Sequence, residues 1–282
     1  MAKNTVGVVG SGTMGAGIAH VFALAGHQVI LVDLRKELLD RALAGISANL
    51  ERQVKKQAIT AAQKDAGLAA LRTATDPAAL APCSLVIEAV SENAGVKKQV
   101  LKQIEAAVSA ECIIATNTST ISVSELASSL GTPRRFIGMH FMNPVPVMQL
   151  VEVVSALQTG PEVTAAVEAA AKAIGKTPVL VKDSPGFVLN RLLIPMINEA
   201  VCALDSGVAS AEAIDACMKL GANHPMGPLA LADLIGLDIC LNIMEVLHAD
   251  FGDPKYRPCP LLRRMVAAGR LGRKTGSGFF AY

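Results

Sequence analysis

The chain has no tryptophan, and aromatic residues make up only 3% of its 282 positions. Proteins that hold single-stranded nucleic acid stack bases on aromatic rings, so this composition argues against a nucleic-acid partner. Excess charge is also lacking: the formal net charge is +2, too small for a general polyanion binder. Cys83, Cys112, Cys202, Cys217, Cys240 and Cys259 form no CxxC pair and no cluster with histidine. That pattern excludes a disulfide framework and a metal site of the zinc type, and points to reduced thiols in the cytoplasm. No apolar run approaches the roughly 20 residues of a membrane span. The opening MAKNTVGVVG enters an expected strand too soon to leave room for a signal or transit peptide. What is present is 51% hydrophobic and 18% charged residues, the balance of a compact soluble protein.

Short β-branched runs alternate with helical patterns over the first two-thirds of the chain. Expected strands are Val6–Val9, Val29–Val32, Leu85–Ala89, Ile113–Thr116, Phe136–Phe141, Met148–Val154 and Pro178–Val181. The early ones are nearly continuous apolar runs, as in parallel strands covered on both faces. The alternation predicts an α/β fold, a Rossmann-type doubly wound sheet. From Lys36 to about Leu71, Leu39, Leu43, Ile46, Leu50 and Val54 recur at helical spacing over a stretch too long for one crossover helix. A helical hairpin projecting from the sheet is expected there, with the basic residues Arg52, Lys55, Lys56 and Lys64. Strand signals stop after Lys182-Asp183-Ser184-Pro185-Gly186, which divides the chain into residues 1–183 and a smaller all-α C-terminal domain, residues 184–282. The first helix of that domain, Phe187 to about Asp205, is apolar around much of its circumference, which predicts heavy burial, partly against another subunit.

The stretch VGVVGSGTMGAGIAH places Gly10-x-Gly12-x-x-Gly15 after a strand and at the start of a helix. Gly10 permits a tight turn, Gly12 lets backbone N–H groups approach a pyrophosphate, and Gly15 allows close packing. Gly10, Ser11, Gly12, Thr13, Met14 and Gly15 are thus the candidate phosphate cradle, in the positive field of the helix N-terminus. Asp33, closing the second strand, is placed to accept hydrogen bonds from the adenine ribose, which favours NAD; Arg35 leaves NADP open.

Ligands of such sheets bind beyond the carboxyl ends of the strands. Ser119 lies just past the strand ending at Thr116, and Thr118 and Thr120 read as turn residues. Ser122, three residues before Glu125, has capping-box spacing and reads as structural. Glu88, Glu92 and Lys97 either meet the cofactor or pair across a helix start. In GMHFMNPVPVMQLVEVV, His140 closes one strand and Glu152 sits inside another that is otherwise apolar. A lone buried carboxylate costs several kcal/mol, so the two either satisfy each other structurally or are kept for acid–base chemistry. In the second case Glu152 fixes the imidazole tautomer and leaves the other ring nitrogen for proton transfer.

GSGTMG, NTST, HFMNPVPVMQLVEVV, DSPGFVLNR, HPMGP and GRKTGSGFF, in that order, closely resemble the L-3-hydroxyacyl-CoA dehydrogenases over essentially the whole chain. The compact length is similar to that of the free-standing 3-hydroxybutyryl-CoA dehydrogenases. The resemblance implies that His140 removes the proton from the C3 hydroxyl of an (S)-3-hydroxyacyl-CoA while the C3 hydride passes to the nicotinamide. It makes Glu152 the orienting partner of His140, and Ser119 and Asn190 the groups that bind the reacting oxygens. Asp33, Glu92, Lys97, Asn117, Ser119, Asn143 and Lys274 match cofactor-binding positions, and Lys56 matches a position that meets coenzyme A. Asn49 stands where some relatives have a serine near coenzyme A. The implied partners are an acyl-CoA substrate and a second copy of the chain, joined through the C-terminal domain. Two alternatives remain at this point: a β-hydroxyacid dehydrogenase for free acids, and a non-catalytic NAD-binding structural or redox-sensing protein.

Overall fold

Short runs of valine, isoleucine and leucine become strands in the computed structural model, which describes residues 4–282. The unit ending at Asp183 runs β1 (Thr5–Val9), α1 (Thr13–Leu24), β2 (Gln28–Val32), α2 (Lys36–Lys55), α3 (Ala61–Ala69), β3 (Leu71–Ala74) and β4 (Leu85–Glu88). It continues through α4 (Ala94–Ala107), β5 (Ile113–Thr116), α5 (Val123–Ala127), β6 (Phe136–Phe141), β7 (Leu150–Ser155), α6 (Pro161–Ala173) and β8 (Thr177–Lys182). The sheet order is β3-β2-β1-β4-β5-β6-β7-β8. All pairs are parallel except β6 with β7. From β1 the chain builds first toward β3 and then, from β4, in the opposite direction. This reversal opens a crevice at the carboxyl ends of β1 and β4, where ligands of doubly wound sheets bind.

Val8, Leu31, Ile87 and Ala115 fill the centre of the sheet, and Ile18 and Phe22 of α1 pack on it. Each fully buried aliphatic or phenylalanine side chain contributes about 1.5–3 kcal/mol from removed apolar surface. Leu39, Ala42, Ile46 and Leu50 bring the stripe of α2 into the same core. The hairpin therefore rests on α1 along its base, while its tip, residues 55–63, is largely exposed. Thr60 starts α3 with a complete capping box, its hydroxyl accepting from the Gln63 N–H and the Gln63 side chain accepting from the Thr60 N–H.

The boundaries depart most from the sequence reading in two places. Leu71, read as the end of the hairpin, instead opens the edge strand β3; its two end residues are half-buried and Arg72 and Thr73 between them exposed, so no apolar run marks it. β7 begins at Leu150, not Met148, because the N–H groups of Val147 and Met148 both donate to the Pro144 carbonyl in a turn.

The second unit, Ser184–Tyr282, contains α7 (Leu189–Asp205), α8 (Ala211–Gly221), α9 (Pro228–Ile235), α10 (Leu237–Phe251) and α11 (Pro260–Ala267). Ile194, Ile197 and Val201 of α7 join Leu237, Met244 and Leu247 of α10 in its core. Within one chain α7 buries one stripe, including Ile194, Ile197 and Val201, and leaves Leu192 68% exposed. No helix among the described residues is long and apolar enough to cross a membrane.

Candidate active site

The glycine turn occupies the mouth of the crevice. Gly10 has φ +101°, a conformation that side chains disfavour, and its N–H donates to Val32 O. A Cβ at Gly15 would lie 1.8 Å from the Gly10 carbonyl oxygen, so α1 starts directly under the turn. A Cβ at Gly12 would meet nothing within 4 Å, and Gly12 caps α1 with no side-chain hydrogen bond. The first N–H groups of α1 therefore face open space rather than a side-chain cap, the geometry that takes an anion. Asp33 Oδ2 accepts from Ser11 N at 2.8 Å and Ser11 Oγ at 2.7 Å, which ties the end of β2 to the turn.

Two cavities flank this turn. One, of about 300 Å³, is lined by Gly10, Ser11, Asp33, Leu34, Val90 and Ile104. The other, of about 450 Å³, lies between Gly12 and Thr13, Arg41 and Asn49 of α2, and Asn143 and Pro144 of the β6–β7 loop. An open helix start, a carboxylate at the end of β2 and an apolar slot beside it fit the pyrophosphate, ribose and adenine of a dinucleotide.

At the ends of β4 and β5 the structure assembles a network that sequence reading left undivided. Lys97 is 1% exposed, and its Nζ lies 2.8 and 3.1 Å from the two Glu88 oxygens, 3.3 Å from Glu92 Oε2 and 3.4 Å from Val90 O. Any influence of Lys97 on a ligand therefore runs through Glu92. Thr116 Oγ1 donates to the remaining side of Glu88 at 2.7 Å. Glu92 turns its carboxyl group toward the 118–120 turn, where Oε1 accepts from Thr118 Oγ1, from Ser119 N and Oγ, and from Thr120 N and Oγ1. Burial pushes the Glu92 carboxyl up; the Lys97 charge and the bonds from Thr118, Ser119 and Thr120 outweigh it and hold the group below the usual carboxylate range. Thr118 and Thr120, read as turn residues, thus fix the carboxylate beside Ser119.

His140 and Glu152 face each other directly in the antiparallel register of β6 and β7. Nδ1 and Oε2 are 2.8 Å apart, with His140 7% and Glu152 1% exposed. An ionised carboxylate only accepts, so Nδ1–H donates to it, which fixes the tautomer of the ring. Asn117, at the end of β5, accepts from Phe141 N at 2.9 Å and so holds the end of the histidine strand.

The other sequence candidates are spread more widely. Asn143 is exposed on the wall of the larger cavity, and Lys56 is exposed where α2 ends. In the second unit, Asn190 is buried in the first turn of α7, and Lys274 pairs with Asp238 at 2.5 and 2.7 Å. Ser122 caps α5 by accepting from Glu125 N, but the Glu125 carboxylate pairs with Lys98 at 2.6 Å, so the capping box is only half formed. Asp183 takes over the rest of the cap, accepting from Val123 N, Ser124 N and Ser122 Oγ.

Comparison with known proteins bears directly on this arrangement. Residues 5–184 match the model of the 3-hydroxyacyl-CoA dehydrogenase NAD binding domain, and residues 186–282 match that of the 3-hydroxyacyl-CoA dehydrogenase C-terminal domain. The chain belongs to the 3-hydroxyacyl-CoA dehydrogenase family. Within this family it is 52% identical to a probable 3-hydroxybutyryl-CoA dehydrogenase of Deinococcus radiodurans, over 98% of this chain and 99% of that one. It is 50% identical to the 3-hydroxybutyryl-CoA dehydrogenase of Bradyrhizobium diazoefficiens, over 98% and 94% of the two chains. The crystal structure of (S)-3-hydroxybutyryl-CoA dehydrogenase from Ralstonia eutropha superimposes with a TM-score of 0.97 at 53% identity, covering 100% of this chain and 99% of that one. The first unit is thus an NAD-binding domain, and the glycine turn, Asp33 and the open start of α1 have a cofactor that suits them.

Proposed function

We propose that this chain is an NAD-dependent dehydrogenase of (S)-3-hydroxyacyl-CoA thioesters, with 3-hydroxybutyryl-CoA and acetoacetyl-CoA as its substrate pair. The observation that carries the reading is the buried His140–Glu152 pair, held in strand register at 2.8 Å. Bound NAD supplies the acceptor for the C3 hydride. His140 Nε2 takes the C3 hydroxyl proton as that hydride leaves, and Glu152 stabilises the imidazolium and keeps the ring in the required tautomer. In the reverse direction the imidazolium returns the proton to the 3-keto oxygen. Ser119, held by Glu92, and Asn190 are assigned to the reacting oxygens. Lys56, on the exposed tip of the hairpin, is assigned to coenzyme A, and Asn143 and Lys274 to the cofactor.

The enzyme is proposed to work as a cytoplasmic homodimer joined through the C-terminal helical unit. The 68% exposed Leu192 and 87% exposed Leu220 of that unit support this, as apolar surface for a second copy.

Loss of NADH absorbance on adding acetoacetyl-CoA tests the activity, with free acetoacetate in a parallel reaction. Rapid oxidation of NADH by the thioester and little by the free acid is the expected result. Equal rates would favour a dehydrogenase of free acids, and no reaction with either would favour a non-catalytic NAD-binding protein.

A further inference from the structure

Lys176, just before β8, takes no part in the chemistry above, yet it is a buried cation. It is 7% exposed, and among the described residues no carboxylate lies within ion-pair distance of it. Burial lowers the affinity of its amino group for a proton. Its Nζ instead donates to Val145 O at 2.6 Å and Met148 O at 2.7 Å. Both carbonyls belong to the loop joining His140 to Glu152; the nearest strand donor, Thr177 N of β8, reaches Gln149 O instead, which leaves these two carbonyls to the lysine. On its other side the loop presses on α1: a Cβ at Gly17 would stand 2.8 Å from Val145 Cβ. The loop carrying Asn143, Pro144 and Val145 into the larger cavity is therefore gripped from both sides.

We propose that Lys176 is a positioning residue: its ammonium, bridging the Val145 and Met148 carbonyls, fixes the 143–149 loop as a wall of the larger cavity, which Asn49, the position matched to coenzyme A, also lines. His140 and Glu152 are aligned by strand pairing and do not depend on this grip, so the loop governs how the thioester binds more than the chemical step. The kinetic half of the proposal rests on the function proposed above; the grip itself does not.

Lys176→Met keeps the length of the side chain and removes the donors. The absence of tryptophan allows a single reporter, Val147→Trp, at a position 67% exposed in the same loop. In the reporter background at saturating NADH, Lys176→Met is expected to raise KM for acetoacetyl-CoA about tenfold while kcat stays within about threefold. Without any ligand, the same substitution should increase acrylamide quenching of the introduced indole and lower its anisotropy. Gly17→Ala, which pushes Val145 from the opposite side, should shift both readouts in the same sense, and Lys176→Gln, too short to bridge both carbonyls, takes the place of Lys176→Met if that variant does not fold. Unchanged quenching and anisotropy overturn the proposal even if KM rises, because the effect then does not pass through the loop. A changed reporter with unchanged KM overturns the positioning role. If the parent protein does not turn over acetoacetyl-CoA, the functional reading fails, and the ligand-free reporter still decides whether Lys176 holds the loop.

Discussion

The parallel half of the sheet and its antiparallel pair β6–β7 carry the site in different ways. Around β1, β4 and β5 the polar groups lie in loops beyond the strand ends, and each is held by several partners: Asp33 by two donors of Ser11, Glu92 by five donors of the 118–120 turn. In β6 and β7 the proposed base, His140, and its partner Glu152 lie within the strands, opposite each other in register. The loops present backbone and carboxylate to a large ligand, for which many contacts share the task. Proton transfer needs one nitrogen at one place, and a strand ladder defines that place better than a loop. Binding and chemistry should therefore be separable by mutation.

The sharpest separation is expected from His140→Ala, which should cut turnover of acetoacetyl-CoA by about 10³-fold while NADH fluorescence titrations show little change in affinity. Gly15→Ala should do the reverse. Its methyl group collides with Gly10 O, and the overpacking should weaken NADH binding by about ten- to a hundredfold without touching the histidine pair. Equal losses of turnover and cofactor affinity in either variant would erase the distinction. Glu92→Gln should have a smaller effect, about a tenfold loss of kcat, because an amide beside Lys97 cannot accept all the bonds that hold Ser119. Initial rates at saturating substrate will read it.

The last effect concerns stability rather than rate. His20 is 1% exposed, and burial first, then the Lys176 charge, lowers its pKa to about 4. An unfolded histidine titrates near 6.5, so the unfolded chain binds the proton more readily. Stability from the neutral imidazole is complete above about pH 6.5 and is lost as pH falls through about 4, by up to roughly 3 kcal/mol. Urea unfolding across this range should show the decline, and His20→Leu should flatten it.

Much of this site was legible in the sequence because its logic is local or chemically costly. The glycine spacing demands a turn after a strand, and a glutamate inside LVEVV demands a partner that His140 supplies. The hairpin break was also readable, from Thr60 and Gln63 as a capping box, although the helical pattern was followed through it. β3 was not readable, because an edge strand with half-exposed side chains needs no apolar run. Nor was the partition of the acids: Glu88 takes the buried lysine and Glu92 the serine turn, a choice made by side-chain direction at the end of β4. Lys176 gave no signal, since its partners are backbone carbonyls about thirty residues away.

The central claim is that imidazole and carboxylate act as one unit, and a double-mutant cycle on His140→Ala and Glu152→Gln tests it most directly. Initial rates with acetoacetyl-CoA and NADH are measured for the parent, both single variants and the double variant. If Glu152 acts only through the imidazole, the double variant will be no slower than His140→Ala alone. Losses that multiply would show the carboxylate working independently and would contradict the account.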